Sequence, residues 1–92
     1  IDRASGRRST MNIDLAVIRI GVEPNTEFLR DKLELDSRGF VSVDKNWRTS
    51  KPHIYAVGDV TSRDAPTIAG AVGSGATAAK VISSCLSAKR CL

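Results

Sequence analysis

Aromatic side chains are scarce, at 4% of the 92 residues. Phe28, Phe40, Trp47 and Tyr55 are the whole supply. A small self-sufficient core draws on more large anchors than these, so the chain is expected to lean on further structure. Cysteine is limited to Cys85 and Cys91. Two cysteines near one end make no disulfide framework, and their spacing of C-x5-C matches neither a zinc site nor a C-x-x-C redox pair. Both are read as plain helix and tail residues of a chain suited to a reducing compartment, the cytoplasm. His53 is the one histidine. No partner for acid–base work can be assigned to it, and it reads as a strand-start residue. No catalytic or metal-ligating set is expected. There is no apolar run of the ~18 residues that a membrane helix needs, and no signal peptide opens the chain. The dinucleotide fingerprint G-x-G-x-x-G does not follow any strand, and Gly73-Ser74-Gly75 lies inside a helical run at the wrong spacing. Walker-type, H-E-x-x-H and G-x-S-x-G motifs are absent as well.

What is present is globular in composition, with 41% hydrophobic and 26% charged residues. The formal charge is +4, but apart from Arg7-Arg8 and Lys89-Arg90 the basic residues are scattered. No nucleic-acid-reading motif accompanies them, so the charge reads as solvated surface, with neither nucleic acid nor membrane as a partner. The first residue is Ile rather than Met, which fits a piece of something longer. Domains of ~60 residues bury only about 60% of their unfolded surface, so marginal stability is expected of this chain by itself.

Along the chain, residues 2–10 are polar, and Ser5-Gly6-Arg7 is a turn signal. Residues 13–20, I-D-L-A-V-I-R-I, are a β-branched run suited to a buried strand that stops at Gly21. Pro24 and Asn25 then break the chain, and Thr26 is placed to cap a short helix over residues 27–32. Residues 36–39, D-S-R-G, form a turn before a short strand over 40–43. An irregular connection over 44–52 holds Trp47, and a second short strand covers 54–57. After a loop with Ser62, Arg63, Asp64 and Pro66, the small, apolar stretch 66–86 predicts a long helix, whose Gly70, Gly73 and Gly75 need a reason. The residues from 87 onward are expected to fray. A buried strand that ends in Gly-Asp and feeds a helix fits one edge of a doubly wound α/β sheet.

Two features could carry chemistry. Gly58-Asp59 follows a strand directly, and ligands of open α/β sheets sit beyond the carboxyl ends of strands. There an Asp accepts hydrogen bonds from sugar or ribityl hydroxyls, and a Gly lets the backbone pass close to the ligand; a strand-ending turn with Asp as a cap is the plainer reading. The stretch 66–79 would offer a helix N-terminus, whose free amides and partial positive charge would stabilise negative charge on a ligand aimed at it. Simple packing of a small-residue helix on a sheet is the alternative there.

Three segments together resemble the pyridine nucleotide-disulfide oxidoreductases, most closely the thioredoxin reductase group. The first is residues 20–29, I-G-V-E-P-N-T-E-F-L. The second is residues 35–41, L-D-S-R-G-F-V, with Val43-Asp44. The third is Arg48-Thr49-Ser50, Pro52 and residues 54–60, I-Y-A-V-G-D-V, continuing through Gly73-Ser74-Gly75-Ala76 and Ala78-Ala79. The string T-S-x-P-x-I-Y-A-x-G-D over residues 49–59 is highly specific, and the likeness covers nearly the whole chain from about Ile13. The resemblance implies a fragment of a doubly wound, Rossmann-like FAD-binding domain. Residues 1–21 would be the last hairpin and strand of the NAD(P)H domain, and 22–92 the C-terminal segment of the FAD domain. It implies that Asp59 bonds the FAD ribityl chain, that Gly58 allows the approach, and that Pro66, Thr67, Ile68 and Ala69 lie at the helix start beside the flavin. The family usually has Arg-Gln at the places of Pro66 and Thr67; Pro66 would still suit the first helical position.

For the parent protein the resemblance implies hydride transfer from NAD(P)H to FAD. Electrons would pass to a C-x-x-C disulfide and on to a thioredoxin-like protein or other electron acceptor, in a homodimer. The NAD(P)H site, both nucleotide fingerprints and the redox cysteines would lie outside this chain, whose necessary partner is the remainder of the flavoprotein, on the same or a separate chain. The isolated chain is expected to be inactive. The chain's end soon after the helix favours the thioredoxin reductase plan over relatives with a long dimerisation domain. Two other readings stand beside it: a truncated or split flavoprotein fold that acts as a partner-binding module, and part of a thioredoxin-reductase-type ferredoxin–NADP reductase.

Overall fold

The computed structural model describes residues 1–62 and 64–89. The expectations that fall on Arg63, Arg90, Cys91 and Leu92 lie outside these residues.

The long helix forms where alanine is densest. It is α1, Ile68–Ser87, 20 residues long, close to the expected 66–86. Its N-cap is Thr67, in extended conformation, whose side chain accepts the amide of Gly70 at 3.0 Å. Pro66 therefore stands one residue before the cap, and the expected first helical position falls to Ile68. The reason is competition: a threonine side chain ties down an orphan amide, which proline cannot do. Gly70 gains its explanation here, since a Cβ on it would lie 2.9 Å from the capping oxygen. Nothing in the structure explains Gly73 or Gly75.

Two hairpins precede α1. In the first, the Asp36 carboxylate accepts the amides of Arg38 and Phe40, at 2.8 and 3.0 Å, and closes the expected turn. Asp36 N–H donates to Phe40 O and Ser42 N–H to Glu34 O, and Leu35 and Val41 form an antiparallel bridge. In the second, Asp44 accepts the amides of Asn46 and Arg48 in the same way, Arg48 bridges Tyr55, and His53 sits at the exposed tip. The strands expected over 40–43 and 54–57 are thus reduced to single bridges. A two-stranded hairpin without a third strand is marginal in water, and no further strand lies beside either one among the described residues.

The strand expected over residues 13–20 is not formed. The segment belongs to no ladder and is exposed throughout, with Val17 at 85% and Ile20 at 91% exposure. A strand is held by ladder bonds to a neighbour and by burial of at least one face, and here no described segment runs alongside. The sequence pattern is a buried strand's; no neighbour for it lies among the described residues. At its start, the turn around Ser5-Gly6-Arg7 is closed by Asp2 N–H to Arg7 O and Gly6 N–H to Asp2 O, at 2.9 and 2.7 Å. The Asp2 carboxyl, accepting the Ser5 hydroxyl and the Ala4 amide, is held below its ordinary pKa.

Thr26 does not cap a helix. Residues Glu27–Leu29 make a single 3₁₀ turn with no side-chain cap bond, and the buried Thr26 hydroxyl donates instead to the Gly39 carbonyl of the first hairpin. The hydroxyl is turned to a long-range backbone acceptor, and no amide of the short turn donates to its oxygen. The core is thin: Leu33, Phe40, Val41, Ala78 and Cys85, with Thr26 and Ser74 buried beside them. Cys85, expected to be a plain helix residue, is buried and disulfide-bonded, not a free thiol. The radius of gyration is 19.2 Å, against about 12 Å for a compact chain of this length. The exposed arm of residues 8–22, of which none is buried, accords with that difference. We expect backbone amides of residues 11–22 to exchange within about tenfold of unstructured rates, while mid-α1 amides are protected far more. Amide exchange read by NMR checks this; strong protection over 13–20 would mean that the arm pairs with itself or with a second copy.

Candidate functional site

The site is built by the 3₁₀ turn Gly58–Thr61 lying on the first half of α1. Gly58 adopts φ 78, a conformation that glycine reaches without cost and other residues do not. Space is not the constraint, since an added Cβ would meet only the Ala71 Cβ at 3.7 Å, an ordinary contact. Side chains fix both polar groups of this residue. The Gly58 amide donates to Ser74 Oγ at 3.0 Å, and the Gly58 carbonyl accepts the Thr61 hydroxyl at 2.8 Å. Ser74, buried on α1, donates in turn to the Ala71 carbonyl at 3.0 Å. The turn is therefore locked to the helix by one hydroxyl acting as acceptor and donor.

That lock presents Asp59. Its carbonyl closes the turn by accepting the Ser62 amide at 3.1 Å, but among the described residues its exposed carboxylate takes no hydrogen bond. Beside it α1 begins. Thr67 satisfies the Gly70 amide, which leaves the amides of Ile68 and Ala69 without partners inside the helix. Exposed residues thus carry both an acceptor carboxylate and free helical donors at this site.

Of the residues expected to bind cofactor, Gly58, Asp59 and Thr67 line one cavity of ≈70 Å³, with Trp47, Ala71 and Ser74. Pro66, Ile68 and Ala69 stand next to it at the exposed helix start and are not among its walls. The cavity holds no more than a few water-sized groups, against roughly 300–1,000 Å³ for a whole small-molecule pocket. It fits a fragment of a ligand, not a flavin dinucleotide. A wider groove of ≈810 Å³ runs along residues 22–40, but its exposed ion pair Glu27–Arg30, at 2.9 Å, satisfies itself and contributes little in water.

Sequence pattern alone assigns no ligand or clamping role to Trp47 or Ser74. Trp47 is half-buried and has φ 65, a left-handed conformation that is a genuine outlier for a bulky residue. Its amide donates to Asp44 O at 3.0 Å and its carbonyl accepts the Ala56 amide at 3.1 Å. The Asp44 carboxyl, held below its ordinary pKa chiefly by the Arg48 amide, closes the turn that carries it. Arg38 reaches over Phe40, 5.8 Å from the ring centroid, and toward Asp64 at 3.9 Å, linking the first hairpin to the loop before α1. Among the described residues no group of three His, Cys, Asp or Glu side chains could hold a metal ion, and no helix is long and apolar enough to cross a membrane.

The pyridine nucleotide-disulphide oxidoreductase family matches residues 3–78. Over 78 residues the chain is 40% identical to an alkyl hydroperoxide reductase subunit from Staphylococcus aureus and 37% identical to its counterpart from Staphylococcus epidermidis. Each match covers 85% of this chain and 15% of the relative, so the chain spans about a seventh of the curated relatives it matches. Among solved structures it is similar to thioredoxin reductase of Lactococcus lactis in its FR conformation, with TM-score 0.61 and 43% identity over 66% of this chain and 20% of that one. Thioredoxin reductase of Streptococcus pyogenes gives TM-score 0.66 and 38% identity over 75% and 22%.

Proposed function

The chain belongs to the pyridine nucleotide-disulphide oxidoreductase family, and from that premise we propose that it supplies one wall of the FAD site in an NAD(P)H-dependent oxidoreductase resembling thioredoxin reductase. The observation that carries the reading is the locked Gly58 turn, which holds beside the start of α1 an Asp59 carboxylate that takes no hydrogen bond among the described residues. In this reading Asp59 accepts ribityl hydroxyls, Gly58 keeps the backbone low enough for the ligand to pass, and Pro66, Thr67, Ile68 and Ala69 border the ring, the last two with helix-end amides. A flavin held by these residues would supply redox chemistry between NAD(P)H and an electron acceptor. The chain's own contribution is to bind, orient and shield. A helix N-terminus there favours negative charge on a reduced ring.

The division into an NAD(P)H-domain end, residues 1–21, and an FAD-domain segment, 22–92, draws support from the arm. Its large apolar side chains are open as far as Val22, and the first half-buried residue after them is Pro24. The remainder of the flavoprotein would cover that arm, bind NAD(P)H and supply the redox disulfide, with a thioredoxin-like protein or another acceptor downstream and a homodimer as the working form.

Titration of the ¹⁵N-labelled chain with FAD tests the reading. The amide resonances of Gly58, Asp59, Ile68 and Ala69 are expected to shift together and saturably; unmoved resonances at millimolar FAD would overturn it. The same chain with FAD, NADPH and a disulfide substrate is expected to turn over at the buffer rate. Sustained reduction would contradict a chain that carries only part of the machinery.

A further inference from the structure

Trp47 is the sole tryptophan of the chain, and it is held in a conformation that its side chain disfavours. Backbone outliers of this kind persist only where the surroundings over-determine them, and they gather at functional sites. Here the surroundings are explicit. The amide and carbonyl of Trp47 are both bonded, to Asp44 and Ala56, so the second hairpin imposes the backbone. The Asp44 carboxylate fastens the two amides that flank Trp47, those of Asn46 and Arg48. What the strain obtains is placement: the residue lines the cavity formed by Gly58, Asp59, Thr67 and Ser74. A glycine or asparagine would take this backbone without strain, so folding alone does not call for the ring.

We propose that Trp47 is a ligand-facing wall of this site, which contributes affinity for the flavin nucleotide through the face of its indole. The inference rests on the FAD reading above and extends it to a residue on a different hairpin. An acidic and an aromatic residue on one cavity suit a polyol chain, whose hydroxyls need acceptors and whose C–H edges pack on rings. Asp59 would serve the first requirement and Trp47 the second, while the locked Gly58 turn keeps the two in register. The small volume between them admits only a narrow part of a ligand. That accords with a wall for a chain-like segment rather than a slot for a whole ring system.

The test follows FAD titration of the 92-residue chain by two sets of resonances at once, the amides of Gly58 and Asp59 and the indole N–H of Trp47. Trp47→Gly keeps the backbone conformation and deletes the ring; Trp47→Phe keeps a ring. In the wild type, both sets are expected to shift with one dissociation constant. Trp47→Gly is expected to bind about tenfold more weakly without loss of helix signal, and Trp47→Phe to stay within about threefold of the wild type. A stationary indole, or Trp47→Gly binding as the wild type does, while Gly58 and Asp59 respond, would overturn the inference and leave the FAD reading intact. If Gly58 and Asp59 do not respond in the wild type, the FAD reading falls and the inference with it. Should Trp47→Gly lose its helix signal, Trp47→Asn, which also tolerates this backbone, replaces it on the same terms.

Discussion

Asp59→Ala is expected to weaken FAD binding by about 10- to 100-fold, the equivalent of losing charge-assisted hydrogen bonds of ~1.5–3 kcal/mol. The effect should fall on binding alone. The Asp59 side chain is exposed and supports no hydrogen bond among the described residues, so its removal leaves the turn's backbone bonds and the Ser74 lock in place. Asp59→Asn retains the shape and one acceptor oxygen but not the charge, and should fall between the wild type and the alanine variant. The FAD titration of amide shifts gives the dissociation constants, and circular dichroism shows whether α1 is intact. Wild-type affinity in Asp59→Ala would remove this residue from the site and leave the Gly58 turn as structure only.

Ser74→Ala is expected to destabilise the chain by about 2 kcal/mol, the usual cost of leaving a buried donor without its acceptor, and to loosen the Gly58 turn. Ser74 is buried at 4% exposure, and its hydroxyl is the acceptor of the Gly58 amide. Alanine is the better helix former by a few tenths of a kcal/mol, so a purely helical effect would have the opposite sign. For that reason the sign alone is informative. Urea unfolding followed by the helix signal measures the loss, and faster exchange at the Gly58 amide localises it. A variant as stable as the wild type, with Gly58 equally protected, would show that the turn holds its place without this tie.

How much of the molecule is legible in its sequence depends on the range of the interaction. α1 is readable because alanine dominates it. Its start is ambiguous because Pro66 and Thr67 both suit a helix start, and only the cap bond decides between them. The turns at 36–39 and around Gly6 are readable from residues that bond their own backbone. The arm over 13–20 carries the pattern of a buried strand, yet a strand is a property of a pair, and the partner is not among the described residues. Thr26 looks like a cap because nothing local announces the Gly39 carbonyl, 13 residues away, that takes its hydroxyl. Ser74 and Trp47 escape a sequence reading for the same reason. The Ser74–Gly58 bond spans 16 residues, and Trp47 reaches its cavity through a hairpin whose left-handed turn has no glycine to signal it. Gly58 and Asp59, by contrast, stand out because an uncommon string of residues surrounds them.

The central claim is that this chain works as part of a flavoprotein. The most direct measurement is the native mass of the endogenous polypeptide recorded together with its visible absorption spectrum. The account predicts a heavier chain, or a tight complex containing this one, that carries a flavin band. A colourless polypeptide of 92 residues, alone in solution, would contradict it.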